Sequence, residues 1–158
     1  MKKSDLLKVR EMLRESNAIE GVYDKDSFKQ AELAWYYLME QKTITPGVIL
    51  KTHKILMLHS NLLPIHKGYF RDCEVTVGGR YGLRYEKVPE AIETWCDDVA
   101  VKAQPKAMHV DFEKIHPFVD GNGRVGRMLY NWMRLDQELP IDVIKESERQ
   151  AYYSWFRD

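Results

Sequence analysis

Apolar residues recur along most of this chain at three- and four-residue intervals, the spacing that lines up side chains on one face of an α-helix. Leu6, Val9 and Leu13 share a face of a first helix that begins near Ser4, a residue type suited to an N-cap. Asp26 is placed to cap a second helix striped by Phe28, Ala31, Trp35 and Leu38. Thr45 followed by Pro46 reads as a cap and first turn, with a third helix running to about His59. Pro89 opens a fourth, in which Ile92, Trp95, Cys96 and Val99 form the apolar stripe. Met108, Phe112 and Ile115 stripe a fifth, which should end at His116 because the residue before Pro117 is pushed out of α geometry. The helical period resumes over residues 121–136, where Val125, Met128, Leu129 and Trp132 share a face. Ser147 is placed to cap a last helix carrying Tyr152 and Phe156.

One segment breaks this pattern. From Cys73 to Tyr85 the apolar residues alternate, with Val75 and Val77 before Gly78-Gly79 and Tyr81, Leu83 and Tyr85 after it. Period two around a Gly-Gly step predicts a β-hairpin. The expected architecture is therefore all-α, a helical bundle with one hairpin arm. A lone hairpin is only marginally stable, so this one should pack on the bundle or serve as a docking edge.

Composition narrows the class. With 158 residues, 44% of them hydrophobic and 30% charged, the chain is expected to fold as a single soluble domain over residues 1–158. A domain of this size buries roughly 68–70% of its unfolded surface, enough for a core without disulfide or metal. Twenty-four Lys and Arg balance 24 Asp and Glu, which argues against a broad basic footprint for nucleic acid. Any phosphate chemistry must then come from a few placed cations. No apolar run approaches the ~18–20 residues of a membrane span, and Ser4-Asp5 and Lys8 to Glu11 interrupt any signal-peptide core. Cys73 and Cys96 form no CxxC pair and read as ordinary thiols of a reducing cytoplasm.

The chemistry concentrates in residues 116–127, His-Pro-Phe-Val-Asp-Gly-Asn-Gly-Arg-Val-Gly-Arg. A histidine closes one helix, a tight acidic loop with two glycines follows, and a new helix opens. Glycines let backbone N–H groups approach a ligand, and a helix N-terminus favours anions. Arg124 and Arg127, three apart, lie on one helix face. Asp120 is a hard oxygen ligand suited to Mg²⁺ held jointly with phosphates. His116 is the nearby side chain whose ordinary pKa suits a general base near neutrality. Each feature alone is commonplace: a turn, a helix stop, a solvated arginine face. Twelve residues that supply an anion cradle, a metal ligand, two cations and a base in sequence point to transfer from a Mg-nucleotide.

The same stretch resembles the signature of the Fic (filamentation induced by cAMP) family, His-x-Phe-x-Asp/Glu-Gly-Asn-Gly-Arg-x-x-Arg, at every specified position. Residues 5–155 follow that family's layout, with the hairpin of about 71–85 similar to its flap. The resemblance implies a protein adenylyltransferase that moves AMP from Mg-ATP to a Ser, Thr or Tyr hydroxyl of a target protein. His116 would deprotonate the hydroxyl and Asp120 would hold Mg²⁺. Phe118, Gly121, Asn122 and Gly123 would border the phosphates, with Arg124 and Arg127 gripping the β- and γ-phosphates. Val75 and Val77 would dock target backbone as an added strand. Tyr152 and Tyr153 resemble a segment that walls the adenine pocket, with Tyr153 the nucleotide contact, although core packing explains them equally well. Gly123 and Arg127 together favour a triphosphate donor.

Upstream, Ser16-Asn17-Ala18-Ile19-Glu20-Gly21 resembles the family's inhibitory motif, Ser/Thr-x-x-x-Glu-Gly/Asn. It implies an inhibitory helix of about residues 4–20 in the same chain, with Glu20 pairing with Arg127 and denying the γ-phosphate its seat. Auto-AMPylation and a homodimer are further expectations of that resemblance. In some relatives the glutamate instead orients water to remove AMP, and other members use UTP or phosphocholine donors. A helical binding or regulatory module docking through the hairpin is the alternative of another class, which has no need of His116, Asp120 and Arg127 together. The family commonly continues with a further helix where this sequence reaches Asp158, so either a truncated chain or a weaker ATP site is expected. His109, His53, His59 and His66 show no metal-ligand spacing.

Overall fold

The computed structural model describes residues 3–157. Seven α-helices and one short antiparallel hairpin make up these residues, so the chain is all-α with a hairpin arm. The helices are α1 (Lys3–Ile19), α2 (Lys25–Met39), α3 (Pro46–Leu56), α4 (Val88–Ala100), α5 (Pro105–Ile115), α6 (Asn122–Asp136) and α7 (Arg149–Tyr153). The hairpin strands are β1 (Thr76–Val77) and β2 (Arg80–Tyr81).

The predicted stripes form the core. Val9 and Leu13 of α1, Ala31, Trp35 and Leu38 of α2, and Ile92, Trp95, Cys96 and Val99 of α4 are all buried. Phe112 of α5 and Val125, Met128, Leu129 and Trp132 of α6 complete one continuous cluster. α2 packs along α3, and α5 along α6, with α6 reached by α1, α2, α3 and α5. A central, nearly all-round buried α6 is what one expects of a helix serving as the hub of a bundle.

Several local expectations are corrected. The N-cap of α2 is Asp24, not Asp26: the Asp24 carboxylate accepts from the Ser27 N–H at 2.9 Å, while Asp26 lies within the first turn. α3 is capped by Thr45 as its sequence suggests but ends at Leu56 rather than His59. There Ser60 Oγ donates to the Met57 carbonyl and Lys67 Nζ donates to those of Leu58 and Ser60, folding the chain back. Val88, one residue earlier than Pro89, begins α4. α7 has no side-chain cap from Ser147, which lies in a single 3₁₀ turn at Glu146–Glu148, and Phe156 falls in another at Ser154–Phe156. The cap expected of the Ser4 side chain lies outside the described residues.

The hairpin is much shorter than 71–85. Gly78 and Gly79 have φ of 58° and 80°, the paired positive values of a two-residue turn that glycine alone adopts freely. The register sets Thr76 opposite Tyr81 and Val77 opposite Arg80, and the Gly82 N–H donates to the Val75 carbonyl at 2.8 Å. Pairing stops there because the Arg71 guanidinium takes the Leu83 carbonyl, and Tyr85–Lys87 wind into a 3₁₀ turn.

Candidate active site

His116 follows α5 in the left-handed conformation, with φ 49° and ψ 64°. Such a conformation costs a non-glycine residue about 1–3 kcal/mol. Arg71 holds it in place. Its guanidinium is buried among carbonyls, donating to His116 at 2.7 Å, Cys73 at 3.0 Å and Ile115 at 3.2 Å, while its own N–H donates to the Pro117 carbonyl at 2.9 Å. One side chain therefore ties the root of the hairpin to the end of α5. Only the similarity of its neighbourhood to the flap segment hinted at this in the sequence; the role itself depends on residues more than forty positions away.

The loop after His116 is braced from within. The Asn122 carboxamide accepts from the Phe118 N–H and donates to the Phe118 carbonyl, both at 2.8 Å. Its carboxamide thus braces the loop while the residue borders the cavity described below. Phe118 is fully buried and stacks on His53, ring centroids 3.8 Å apart and planes 5° apart, so its side chain packs in the core beneath the loop. Asp120 accepts the Gly121 N–H on Oδ1 at 2.8 Å. Gly121 has φ 88° and opens α6, leaving the N–H groups of Asn122, Gly123 and Arg124 in a first turn with no intrahelical carbonyl available. The 116–127 segment is thus a loop to Gly121 followed by the first six residues of α6.

A cavity of about 260 Å³ lies over this turn, bordered by Glu20, His116, Asp120, Gly123 and Arg124. Arg124 is buried, its guanidinium resting on the Met57 sulfur at 3.1 Å. Burial lowers its pKa, against the pull of Asp120 and Glu20. A second hollow of about 450 Å³ runs under the hairpin between Val75, Thr76 and Tyr81 and the loop, and His116 and Val119 border it as well. His116 thus stands between the two. Burial pushes its pKa below the ordinary histidine value, with the Glu113 backbone opposing, which favours the neutral imidazole.

Arg127 lies one turn further along α6, with its side chain 3% exposed. Nε donates to Ser16 Oγ at 2.8 Å, and Nη2 donates to the Ser16 carbonyl at 3.0 Å and to Glu20 Oε1 at 2.8 Å. Nη1 donates to the Tyr152 hydroxyl at 3.3 Å. Burial works against this charge, but Tyr152 and Glu20 raise the pKa, and the guanidinium stays protonated. The end of α1 is thereby docked on α6. Gly123 makes room for the pair: a Cβ there would run into Glu20 Oε1 and lie 2.9 Å from Arg127 Nη1.

Tyr153 borders neither cavity. It is 38% exposed and its ring packs on Tyr152, 5.7 Å between centroids. Tyr152 is the inward residue of the pair, accepting from Arg127 and bonded to His109 Nε2 at 2.6 Å. His109 is fully buried with its pKa pushed down to about 3 by burial and by Arg127, and so remains uncharged there. Glu113, whose Oε1 is buried without a hydrogen-bond partner, has its carboxyl pushed up to about 7 by burial. Nothing in its local sequence marks it, since it reads as a polar position on an amphipathic helix.

No group of three or more His, Cys, Asp or Glu among the described residues could cage a metal. A lone carboxylate at the mouth of an anion-binding turn is nevertheless the donor set Mg²⁺ commonly uses, with nucleotide phosphates and water completing its shell. Asp120 fits that role.

The fold and this loop belong to one class of protein. The Fic/DOC family matches residues 43–133, more than half of the chain, and the chain belongs to that family. It is similar to the protein adenylyltransferase Fic of Drosophila erecta, 27% identical over 166 residues, and of Drosophila grimshawi, 28% identical over 171 residues. The matches take in 96% of this chain but 33% and 34% of those proteins, so the chain spans about a third of their length. Among solved structures, a Fic-domain-containing signalling protein from Bacteroides thetaiotaomicron superposes with a TM-score of 0.80 at 18% identity, covering 98% of this chain and 74% of that one. Fic-1 (residues 134–508) from C. elegans gives 0.78 at 20% identity, covering 98% and 57%. No helix among the described residues is long and apolar enough to cross a membrane.

Proposed function

We propose that this chain transfers AMP from Mg-ATP to a hydroxyl group of a protein, and that the docked end of α1 holds the reaction off. The observation that carries the reading is the position of His116, which borders both the cavity over the α6 N-terminus and the hollow beneath the hairpin. A donor in the first and an acceptor in the second meet at that imidazole.

The neutral ring of His116 accepts the proton of the acceptor hydroxyl as its oxygen attacks the α-phosphorus. A new oxygen–phosphorus bond forms, the bond to the bridging oxygen towards the β-phosphate breaks, and pyrophosphate leaves. Mg²⁺, when bound with the nucleotide, would neutralise phosphate charge beside Asp120. The α6 N–H groups and Arg124 orient the phosphates and stabilise charge that shifts onto the leaving group, the dominant contribution in this kind of transfer. The exposed edge of β1, with Val77 in the strand and Val75 just before it, accepts acceptor backbone as an added strand. Arg127 would seat the γ-phosphate, and Glu20 occupies it instead. The names of the Drosophila relatives support the donor and the reaction.

A second reading has its own support: Glu20 borders the same cavity as His116, where a carboxylate can orient water to remove AMP from a target. One experiment separates them. Wild type, Glu20→Gly and His116→Ala are incubated with Mg²⁺ and α-labelled ATP or UTP, and label on protein is counted. Transfer predicts label from ATP with Glu20→Gly and none with His116→Ala. No label with any nucleotide, together with release of AMP from a modified protein by wild type, favours removal. Neither activity leaves a binding module.

A further inference from the structure

We propose that His53 is a positioning residue for the Asp120 corner of the catalytic loop, holding the backbone from which that carboxylate meets Mg²⁺. The inference rests on the transfer reading above and extends it to a residue 67 positions away in sequence.

His53 lies in α3 with no solvent exposure, and both ring nitrogens are engaged. The Gly68 N–H donates to Nδ1 at 2.9 Å, so Nδ1 must be the acceptor. The ring proton then sits on Nε2, which donates to the Asp120 carbonyl at 2.8 Å. This tautomer alone satisfies both neighbours. Moving the proton to Nδ1 would set two donors against each other at Gly68 and leave a lone pair facing the Asp120 carbonyl.

Packing fixes the ring as well. One face lies flat on Phe118. Gly121 closes on the edge: a Cβ there would lie 3.3 Å from His53 Nε2 and 2.8 Å from Met57 Sδ. The loop approaches this closely because Gly121 has positive φ and no side chain. Asp120 is gripped through its carbonyl by His53 and through Oδ1 by the Gly121 N–H, so its carboxylate is referenced to α3 by two consecutive bonds. α3 is part of the buried core through Ile49 and Leu56, which makes it a rigid reference. Outer partners of this kind commonly change metal affinity 10–100-fold when lost.

The test separates a positioning role from general support of the fold. In the Glu20→Gly background, ATP affinity is measured calorimetrically with and without Mg²⁺, and the ratio of the two is the readout. His53→Gln keeps a donor near Nε2 and loses the acceptor for Gly68. His53→Asn keeps an acceptor near Nδ1 and cannot reach Asp120. His53→Asn should lower the Mg²⁺ ratio about tenfold or more at nearly unchanged Mg²⁺-free affinity. His53→Gln should keep the ratio while the Gly68 amide exchanges faster with solvent. Equal ratios in parent and both variants overturn the proposal, as does loss of the ratio in His53→Gln or a matching fall in Mg²⁺-free affinity. Should His53→Asn fail to fold, His53→Gln decides by the same two readouts. A Glu20→Gly parent whose ATP binding ignores Mg²⁺ overturns the transfer reading and this inference with it, and that outcome is visible before any His53 variant is made.

Discussion

Replacing Glu20 by glycine should tighten ATP without tightening AMP. The Arg127 side chain is 3% exposed and that of Glu20 40%, with 2.8 Å between Nη2 and Oε1. Two unit charges about 4 Å apart attract by ~4 kcal/mol at an effective dielectric of about 20. Water at the Glu20 end screens this towards the small values of exposed pairs, leaving about 2 kcal/mol. On the proposed function the wild-type γ-phosphate displaces Glu20 to reach Arg127; in the variant that cost is gone, and ATP affinity should rise about 30-fold at 1.4 kcal/mol per tenfold. The guanidinium should keep its aim, because its bonds to Ser16 Oγ and the Ser16 carbonyl remain. AMP has no γ-phosphate and should shift by less than about threefold, the range of incidental surface substitutions. Glu20→Gln, isosteric and neutral, should fall between. Calorimetric titration of the three proteins with ATP and AMP reads this directly. Equal ATP affinities in wild type and Glu20→Gly would refute it, as would ATP and AMP tightening in parallel, which signals a loosened cavity instead of a freed arginine.

Other outcomes follow from the same geometry. His116→Ala should lose at least ~100-fold in labelling of any acceptor, the lower end of a general base's contribution, measured in the Glu20→Gly background. Since the active imidazole is neutral and burial lowers its pKa, kcat/KM should rise through a pKa below 6.5 and be flat above about pH 7; a profile still climbing at pH 8 contradicts that base. Arg71→Ala should destabilise by at least ~3 kcal/mol, since it strands several buried carbonyls, and denaturant melts check this. For Glu113 the folded state holds the proton more tightly than the unfolded chain, so the wild-type carboxyl costs stability as pH rises from 4.5 to about 7. The advantage of Glu113→Gln over wild type should therefore grow across that window, up to ~3 kcal/mol, and level off above it; melts at pH 5 and 8 measure it.

The helices were legible because each carries an apolar stripe on one face, and the hairpin because Gly78-Gly79 admits few other backbones. The hairpin's length was not, since it is set by Arg71 reaching the Leu83 carbonyl, a contact with no local pattern. Asp24 and Asp26 are equally good caps by composition, and only the backbone turn at Asp24 decides between them. Within the 116–127 stretch, sequence shows which residue types are present but not which face inward. Phe118 packs inward, Asn122 both braces the loop and borders the cavity, and Gly123 and Arg124 border it too. Tyr152 and Tyr153 are adjacent and chemically alike, and the pitch of α7 alone turns one towards Arg127 and the other outwards. His53 and Glu113 are polar positions on amphipathic helices like several of their neighbours, and only the fold sets His53 against the Asp120 carbonyl and buries Glu113 Oε1.

The most direct test of the whole account is the intact mass of Glu20→Gly after incubation with Mg-ATP, alone and with a hydroxyl-bearing acceptor protein. An adduct of the mass of AMP, absent from Glu20→Gly/His116→Ala and much reduced in wild type, is the predicted result. A phosphate-sized adduct, or the same AMP adduct with His116 replaced, would contradict it.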